Sequence, residues 1–366
     1  MADLKRLTIK GFKTIASLEN FELGRINLLI GENGAGKSNF VSFFRFLSFM
    51  CNGELQRFVN THGFGSAFVL DGPAVTSRIQ AELCFDAEQG TNEYAFQLAH
   101  GAPDTLIFME ERYRYSNRNY PQLAKWSTFD AGHRESALIQ EAEGGNSTAR
   151  FIRGCLRRCI VHQFHNTSET ARVRLAWDKD DNRYLKEDGA NLAAVLLRLR
   201  DQAAPYYRRI VENIRTVTPL FLDFELESSN GKVLLQWRER ATDMVFGPHQ
   251  ASDGTLRIMA LFTLLLQPEE SLPDVIIMDE PELGLHPYAI GVVAGLIKSV
   301  SQHTQVILAT QSVNLLNYFQ PEDIVVLDRP QRGTIFKRLN GHELADWLKK
   351  YSMAELWEKN VLGGTP

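Results

Sequence analysis

A glycine-rich segment near the N-terminus, Gly31-Glu32-Asn33-Gly34-Ala35-Gly36-Lys37-Ser38, constrains the fold of this chain more than any other stretch. It matches the pattern G-x4-G-K-[ST], follows an apolar run at 26–30 and precedes a helix-like run at 39–47. A strand, a glycine loop and a helix in this order form the setting that a phosphate-binding loop requires. Glycines let consecutive backbone N–H groups turn toward phosphate oxygens, and the helix start adds the positive end of its dipole. The segment therefore predicts a nucleotide site, and a chance glycine turn is the weaker interpretation.

The side chains of this segment predict how it would hold a nucleotide. Lys37 can reach the β- and γ-phosphates, and the hydroxyl of Ser38 can ligate Mg²⁺. The predicted nucleotide-binding residues of the loop and the helix start are Asn33, Gly34, Ala35, Gly36, Lys37, Ser38 and Asn39.

An apolar run at 275–278 ends in two carboxylates and a proline, Asp279-Glu280-Pro281. Asp279 is predicted to hold Mg²⁺, directly or through water, and Glu280 to polarise the attacking water as general base. Strands that end in acidic residues are common by themselves. With a phosphate-binding loop upstream, the functional interpretation is favoured over that alternative.

Two further polar segments follow the same logic. Ser252 and Gly254 stand just before an apolar helix, where they predict a second phosphate-binding helix start or an ordinary helix N-cap. Gln311 follows an apolar run at 306–309 in the segment 310–312, Thr-Gln-Ser. Its amide is predicted to bond the γ-phosphate or the attacking water, and the alternative is a polar strand exit.

Weaker candidates lie elsewhere in the chain. Lys13 could contact an α-phosphate or be an exposed turn lysine. A Cys/His group suggests zinc, but its spacing differs from the usual finger and ribbon patterns, and two cysteines on one helix face are commonly core residues. Two groups of arginines could face DNA or form a solvated surface, since no base-reading motif accompanies them. The Cys/His residues are Cys155, Cys159, His162 and His165, and the arginines are Arg112, Arg114, Arg118, Arg150, Arg153, Arg157 and Arg158.

Composition limits the classes of protein that fit. The 366 residues are 44% hydrophobic and 23% charged, as in ordinary globular proteins. A net charge of −4 gives no overall attraction to nucleic acid or membrane. No apolar run reaches the roughly 20 residues of a transmembrane helix, the N-terminus shows no signal-peptide core, and four cysteines do not form a disulfide framework. We therefore expect a cytoplasmic protein without a membrane partner.

Apolar runs that alternate with helix-like segments predict an α/β fold with a mostly parallel core sheet, preceded by N-terminal antiparallel strands. We expect an ATPase core of 1–50 and 245–366, with 51–244 inserted as a β-plus-helical lobe of one compound domain. Strands are predicted at 4–9, 16–23, 77–85, 93–99, 105–115, 274–278, 305–309 and 323–327, with a turn at 89–92 and a hairpin turn at Asn230-Gly231. Helices are predicted at 149–159, 192–203, 206–217 and 256–266, and an irregular, mobile loop at 121–147.

The motifs occur in an order that resembles the ABC-type ATPases of the RecF, SMC and OLD (overcoming lysogenisation defect) kind. More closely, the chain resembles a compact family of bacterial AAA-type ATPases of that clade. Beside the ATPase motifs, the resemblance rests on Ile9-Lys10-Gly11-Phe12-Lys13, Phe164-His165-Asn166-Thr167-Ser168, Asp188-Gly189-Ala190-Asn191-Leu192, Glu355-Leu356-Trp357 and Leu362-Gly363-Gly364.

The resemblance implies that two ATP molecules lie between two head-to-tail copies of the chain. Ser252 and Gly254 of one copy would then close on the γ-phosphate held by Lys37 of the other. Residues 283–287, Leu-Gly-Leu-His-Pro, occupy the place of the D-loop that couples the two sites. Gln311 stands where many relatives carry a switch histidine, so turnover is expected to be slow or gated by a partner. Gln163 is the candidate for the Q-loop glutamine.

These expectations combine into one function. An ATPase that dimerises on Mg²⁺-ATP would switch a bound effector or DNA-associated complex, in antiphage defence or DNA repair by family analogy. The gap of roughly 210 residues between Ser38 and Ser252 holds a lobe but no long coiled coil. We expect no appended nuclease, so a separate subunit, such as a nuclease encoded nearby, would act on nucleic acid. The alternatives are a nucleotide-stabilised oligomeric scaffold with little hydrolysis and, less favoured, a transporter ATPase subunit.

Overall fold

The structure, a computed structural model, describes residues 2–364. Contacts divide the chain into two compact units, Met1–Ile160 with Gln320–Pro366 (unit 1) and Val161–Phe319 (unit 2). The predicted division into a core of 1–50 with 245–366 and a lobe of 51–244 concerns domain organisation and stays a prediction. Among residues 2–364, no helix is long and apolar enough to cross a membrane.

The N-terminal part of unit 1 is rich in strands, and its last strand, β8, continues into unit 2. Its strands and helices are β1 (Asp3–Phe12), β2 (Ile15–Glu22), β3 (Ile26–Ile30), α1 (Lys37–Cys51), α2 (Leu55–Thr61), β4 (Arg78–Ala87), β5 (Gly90–Gly101), β6 (Thr105–Asn117), β7 (Ser127–Phe129), α3 (Leu138–Glu143), α4 (Ser147–Arg157) and β8 (Cys159–His162).

An antiparallel sheet of six strands, in the order β2-β1-β4-β5-β6-β7, forms much of unit 1. Phenylalanine side chains pack α1 against this sheet. The ring of Phe12 at the end of β1 lies 5.3 Å from that of Phe43 and 5.6 Å from that of Phe46, both edge-on. Phe46 also lies 5.8 Å from Phe68. Such edge-to-face clusters combine large apolar burial with a defined geometry, so they fix the helix that follows the glycine segment.

Unit 2 mixes helices with short strands. Its elements are β9 (Trp177–Asp178), α5 (Leu192–Gln202), α6 (Ala204–Val217), β10 (Phe221–Phe224), β11 (Ser228–Ser229), β12 (Lys232–Val233), β13 (Trp237–Glu239), β14 (Val245–Phe246), α7 (Asp253–Leu266), β15 (Val275–Asp279), α8 (Pro287–Val300), β16 (Gln305–Ala309) and α9 (Val313–Leu316).

The strands β15 and β16 of unit 2 are parallel, with Ile277 opposite Ile307. Residues 275–278 and all of β16 are buried, which explains why both strands are continuous apolar runs without alternation. Two small antiparallel sheets, β10-β13-β14 and β11-β12-β9, complete the strands of this unit. The predicted tight turn at Asn230-Gly231 joins β11 to β12, and both residues have positive φ.

The C-terminal part of unit 1 consists of β17 (Ile324–Asp328), β18 (Ile335–Arg338), α10 (Gly341–Leu348) and α11 (Met353–Glu358). β17 pairs in parallel with β3, so Val325 lies opposite Leu29, and antiparallel with β18. The buried indole of Trp357 donates from Nε1 to the carbonyl oxygen of Gly364. A Cβ atom at Gly364 would lie 3.3 Å from the Cα of Gly31. The C-terminal segment therefore packs against the start of the glycine segment.

The parallel pairing predicted from the apolar runs is confirmed, but three local predictions are wrong. Ala87 pairs with Gly90, so the turn between β4 and β5 is shorter than the predicted 89–92. The fourth helix ends at Arg157, and Cys159 begins β8, so Cys155 and Cys159 do not share a helix.

The third correction concerns 121–147, predicted as an irregular mobile loop, which contains β7 and α3. The wholly buried carboxylate of Glu111 on β6 organises this segment. It accepts hydrogen bonds from His133 Nε2 at 2.7 Å, Ser136 Oγ at 2.5 Å and the backbone N–H of Ala137 at 2.9 Å. The tyrosine Tyr94 donates a further bond at 2.6 Å. A polar segment that looks solvated in the sequence is thus tied to a buried charge on a distant strand.

Candidate functional site

The glycine segment 31–38, here called the phosphate loop, depends on backbone conformations that favour glycine. Gly34 has a φ of +86° and Gly36 a φ of +111°. A Cβ atom at Gly36 would lie 2.3 Å from the Oγ1 of Thr334, closer than side chains can approach. The φ angles of both residues favour glycine, and at Gly36 there is also no room for a side chain. The shape of the loop is therefore set by its backbone.

The ammonium of Lys37 is held over the phosphate loop. Lys37 is the first residue of α1 and only 5% exposed. Its Nζ donates to the carbonyl oxygens of Gly31 at 2.5 Å and Glu32 at 3.1 Å. The charge is therefore fixed beside the backbone of the loop, and its contact with a phosphate stays a prediction.

The start of α1 fits an anion. Its N-cap, Gly36, has no side chain to cap the helix, and its first turn carries no acidic residue. The backbone N–H groups and the positive end of the dipole therefore have no compensating carboxylate from this helix. Ser38 is exposed one residue further, so its hydroxyl is accessible to a phosphate-bound cation. The residues present thus fit a Mg²⁺-nucleotide.

Two threonines that the sequence did not predict brace the phosphate loop. The Oγ1 of Thr334 donates to the carbonyl of Ala35 at 2.8 Å and lies 3.0 Å from the hydroxyl of Thr14, which can donate to it. Asn39, predicted to bind nucleotide, donates its amide to the same Thr14 oxygen at 2.9 Å. Thr334 and Ala35 are 299 positions apart, and nothing in the sequence pairs them.

Lys13 lies beside α1. It has a φ of +48°, and its Nζ donates to the Oγ of Ser42 at 2.8 Å, 5.2 Å from the ring centre of Phe68. Burial lowers the pKa of Lys13, and the nearby charge of Arg45 lowers it further. Lys13 is thus not an ordinary exposed turn lysine, and its contact with an α-phosphate stays a prediction.

In unit 2, the structure brings together two predicted residues, Glu280 and Gln311. The Nε2 of Gln311 donates to the Oε1 of Glu280 at 2.8 Å. The backbone N–H of Glu280 donates to the carbonyl of Ala309 at 2.7 Å, which ties the end of β15 to the end of β16. We call Asp279, Glu280 and Gln311 the carboxylate edge.

The backbone of Glu280 has a φ of +43°, a left-handed conformation. For a residue other than glycine this conformation costs about 1 kcal/mol or more, and such strained residues are enriched at functional sites. It turns the Glu280 side chain away from the strand direction, where it meets Gln311.

The segment of Ser252 and Gly254 is in contact, within unit 2, with residues 283–287, the predicted D-loop. Ser252 is exposed and caps α7, since its Oγ accepts from the backbone N–H of Thr255 at 3.1 Å. A Cβ atom at Gly254 would lie 2.9 Å from the carbonyl oxygen of Gly284. The guanidinium of Arg257 donates to the carbonyl of Leu283 at 2.8 Å. Ser252 therefore caps α7, and its second role, binding a phosphate, stays a prediction.

The segment after β8 packs behind the carboxylate edge. A ring nitrogen of His165, Nε2, lies 2.7 Å from the carbonyl oxygen of Asp279. Burial lowers the pKa of His162 to about 4, so it is neutral near pH 7. Gln163 Nε2 lies 3.4 Å from the Nδ1 of His165, and its role as Q-loop glutamine stays a prediction. Over the residues that the structure describes, no group of three or more His, Cys, Asp or Glu side chains is placed to hold a metal.

Several of the arginines considered for DNA are paired with carboxylates. Arg112 lies 3.0 Å from Glu110, and Arg114 forms a short bond to Glu93. Both guanidinium groups also lie 4.5 Å from the ring centre of Trp126. Further pairs join Arg118 to Asp86 and Arg153 to Glu143. Such paired groups fit a structural surface better than a phosphate-binding one.

Comparison with known proteins identifies the family. Residues 26–317 match the model of the family described as "AAA domain, putative AbiEii toxin, Type IV TA system". The chain belongs to this family. The match includes the phosphate loop and the carboxylate edge, and confirms the predicted relationship to compact AAA/ABC-type ATPases. A search of curated proteins finds no significant match.

Solved structures show the same fold for this AAA-domain chain. One similar structure is an SMC head bound to the C-winged helix domain of ScpA, at 16% identity and a TM-score of 0.60, covering 93% of this chain and 99% of the other. Another is an SMC head with an extended coiled coil, bound to the C-terminal domain of ScpA from Pyrococcus furiosus, at 13% identity and a TM-score of 0.58, covering 96% and 99%. The predicted α/β P-loop fold of the SMC type is thereby confirmed.

Proposed function

We propose that this chain binds Mg²⁺-ATP and hydrolyses it to ADP and phosphate. The observation that carries the proposal is the 2.8 Å bond between the Gln311 amide and the Glu280 carboxylate. It leaves the second carboxylate oxygen of Glu280 to take a proton from water, while the Gln311 carbonyl can accept a hydrogen bond from the same water. A base and a water-orienting amide on two neighbouring strand ends are what hydrolysis of a phosphoanhydride needs.

The remaining predicted residues supply binding. Lys37 and the backbone of 33–36 would hold the phosphates, while Ser38 and Asp279 would hold Mg²⁺. When bound, Mg²⁺ would screen the phosphate charges and orient the γ-phosphate for displacement. Asn39 and Lys13 are secondary candidates for contacts with the nucleotide, since their side chains already bond Thr14 and Ser42.

We further propose that the functional form is a head-to-tail homodimer. Ser252 is exposed at the start of the 14-residue helix α7, where it can meet a phosphate held by another copy. The contact of Gly254 and Arg257 with Gly284 and Leu283 would transmit closure of that interface toward the D-loop segment. ATP would then favour the closed dimer because it contacts both copies only in that state.

The test is the substitution Glu280→Gln. We expect it to keep ATP binding, to slow phosphate release by about 100-fold or more, and to accumulate dimer in light scattering with ATP. The matched control is Glu358→Gln, because Glu358 is an exposed glutamate on α11. Turnover that equals that of the control would contradict the general-base assignment.

A partner role extends this proposal. The SMC heads of similar fold are bound to ScpA domains in their crystals, and we propose that this chain likewise switches a separate effector, such as a nuclease encoded nearby, with DNA as a further ligand. Antiphage defence or DNA repair would fit such a device, and four buried cysteines that form no disulfide fit a location in the cytoplasm. The core of 1–50 with 245–366 would carry the ATPase, and the lobe of 51–244 is proposed as the effector-facing part.

A second candidate is a nucleotide-stabilised scaffold with little hydrolysis. It is favoured by Gln311 itself, because an amide orients water but does not titrate near pH 7. If purified protein keeps ATP intact over long incubation, and proteins encoded nearby do not stimulate release of phosphate, the scaffold replaces the ATPase as the better proposal.

A further inference from the structure

Two buried polar side chains lie behind the carboxylate edge and join the two strand ends that carry it. Glu282, in the loop after β15, is 8% exposed, and Thr310, directly after β16, is wholly buried. The Oγ1 of Thr310 donates a short hydrogen bond to the Oε1 of Glu282. Each partner is two residues or fewer from a member of the carboxylate edge, Glu280 or Gln311.

The hydroxyl of Thr310 is used twice. It donates to Glu282, and it also accepts a hydrogen bond from the backbone N–H of Ser312 at 2.9 Å. Gln311 lies between Thr310 and Ser312 in the chain, so the hydrogen bond between these two residues closes a short ring around the Gln311 backbone. The orientation of the Gln311 side chain toward Glu280 starts from this fixed backbone.

A buried carboxylate at this position is less favourable for the free energy of folding than an apolar side chain. The Oε2 of Glu282 makes no hydrogen bond to any residue from 2 to 364. Burial raises the pKa of Glu282, and the Thr310 hydroxyl counteracts part of that rise. An unsatisfied buried polar atom destabilises the folded state, so an apolar residue would stabilise the fold better. The position is thus better explained by what Glu282 holds than by stability.

We propose that Glu282 is a positioning residue for hydrolysis, which fixes Gln311 through Thr310 and so keeps the Gln311 amide against the Glu280 carboxylate. This inference rests on the proposed function. We call the pair Glu282 and Thr310 the clamp. Neither residue belongs to the phosphate loop, so the clamp acts on turnover and leaves ATP binding unchanged.

The first experiment compares Thr310→Val, Thr310→Ser and a control, Thr304→Val, in steady-state ATP hydrolysis. Thr304 is also a buried threonine, at the other end of β16, and donates to the Pro273 carbonyl at 2.7 Å. We expect Thr310→Val to lower kcat by roughly tenfold to hundredfold with KM for ATP within about twofold, and Thr310→Ser to restore most of it. Thr304→Val should lower the melting temperature without this loss of kcat.

A double substitution tests whether the clamp acts through Gln311. In a Gln311→Ala background, Thr310→Val should cause no further loss of kcat, because the side chain that it positions is gone. An equal fractional loss in both backgrounds would overturn the proposal, as would an unchanged kcat in Thr310→Val alone. Should Thr310→Val fail to fold, Glu282→Met removes the acceptor at similar side-chain length, with the same expected results.

Failure of the clamp and failure of the ATPase proposal give different results. If the unsubstituted protein releases no phosphate, the ATPase proposal fails and the clamp, as a device for hydrolysis, fails with it. If Glu280→Gln releases phosphate as fast as the unsubstituted protein, the general-base assignment fails, and the clamp, which acts through Glu280, fails with it. If Glu280→Gln is slow but Thr310→Val is normal, only the clamp fails. The NMR signal of the Gln311 side-chain amide gives a readout that does not depend on turnover. This signal is assigned by its loss in Gln311→Ala. Thr310→Val should shift or broaden it, and an unchanged signal would overturn the proposal.

Discussion

The phosphate loop of unit 1 and the carboxylate edge of unit 2 are built in opposite ways. The loop is shaped by backbone: Gly34 and Gly36 adopt positive φ, and carbonyl oxygens of the loop receive the Lys37 ammonium. The edge is shaped by side chains, since Glu280, Gln311 and the clamp are joined by carboxylate, amide and hydroxyl groups. A backbone site fails when an atom is added, whereas a side-chain site fails when a hydrogen bond is removed.

The largest expected effect concerns the joint dependence of the two regions on a second copy. Lys37→Ala and Ser252→Arg should each abolish ATP hydrolysis, while a mixture of the two variants should recover part of it through one intact composite site. Phosphate release is measured after subunit exchange. Ser299→Arg, at an exposed serine on α8, is the control and should hydrolyse normally. A mixture that stays inactive although mass spectrometry shows exchanged subunits would remove the support for a composite site.

An added atom in the phosphate loop should have the next largest effect. Gly36→Ala places a Cβ 2.3 Å from the Oγ1 of Thr334, at a φ of +111°. We expect ATP affinity to fall by about 100-fold, as measured by titration calorimetry, and the melting temperature to fall as well, because the alanine is strained in this conformation. Gly295→Ala on α8 is the control, because nothing lies within 4 Å of its added Cβ. Affinity in Gly36→Ala that matches the control would show that the loop is less dependent on its backbone than the structure indicates.

The smallest expected effect tests how a hydrogen bond from a side chain to a buried carboxylate stabilises the fold. Glu111, unlike Glu282, receives four hydrogen bonds. The bond to Glu111 raises the pKa of His133 above its usual value, with burial acting against it. The charged His133 therefore stabilises the fold fully below its unfolded pKa of about 6.5, and this contribution is lost as pH rises through the higher folded pKa.

Melting curves across pH check this expectation. The melting temperature of the unsubstituted protein should fall by about 2 °C relative to His133→Gln as pH rises through this window, since His133 is partly solvated. ATP hydrolysis should not follow the same profile, because Glu111 serves structure. Parallel pH dependence of both proteins would assign the stabilisation to another group.

How much could be predicted from the sequence depends on how far apart in the chain the interacting residues lie. The phosphate loop is eight consecutive residues, so Lys37 and Ser38 are recognisable without any tertiary information. Gln311 is likewise recognisable from a short segment, because it stands in a polar stretch directly after the apolar run at 306–309. Thr334 could not be predicted, since its bond to Ala35 depends on how β17 pairs with β3 and β18.

The same limit explains the clamp and the segment 121–147. A glutamate in Asp-Glu-Pro-Glu looks like any solvated acidic residue until the burial of Glu282 beside Thr310 is known. Likewise, 121–147 has the composition of a loop, and only its three bonds to Glu111 show why it is ordered. Composition records how polar a segment is, but it does not record which buried group satisfies that polarity.

The position of Trp357 also provides an optical probe. Its indole is fully buried and bonded to Gly364, whose neighbour across the packing is the first glycine of the phosphate loop. Indole emission depends on hydrogen bonding and local polarity, so a change at Gly31 reaches the chromophore through a single intervening residue. A variant that retains Trp357 as its only tryptophan would therefore report nucleotide arrival by fluorescence, on the timescale of stopped-flow mixing and without a label.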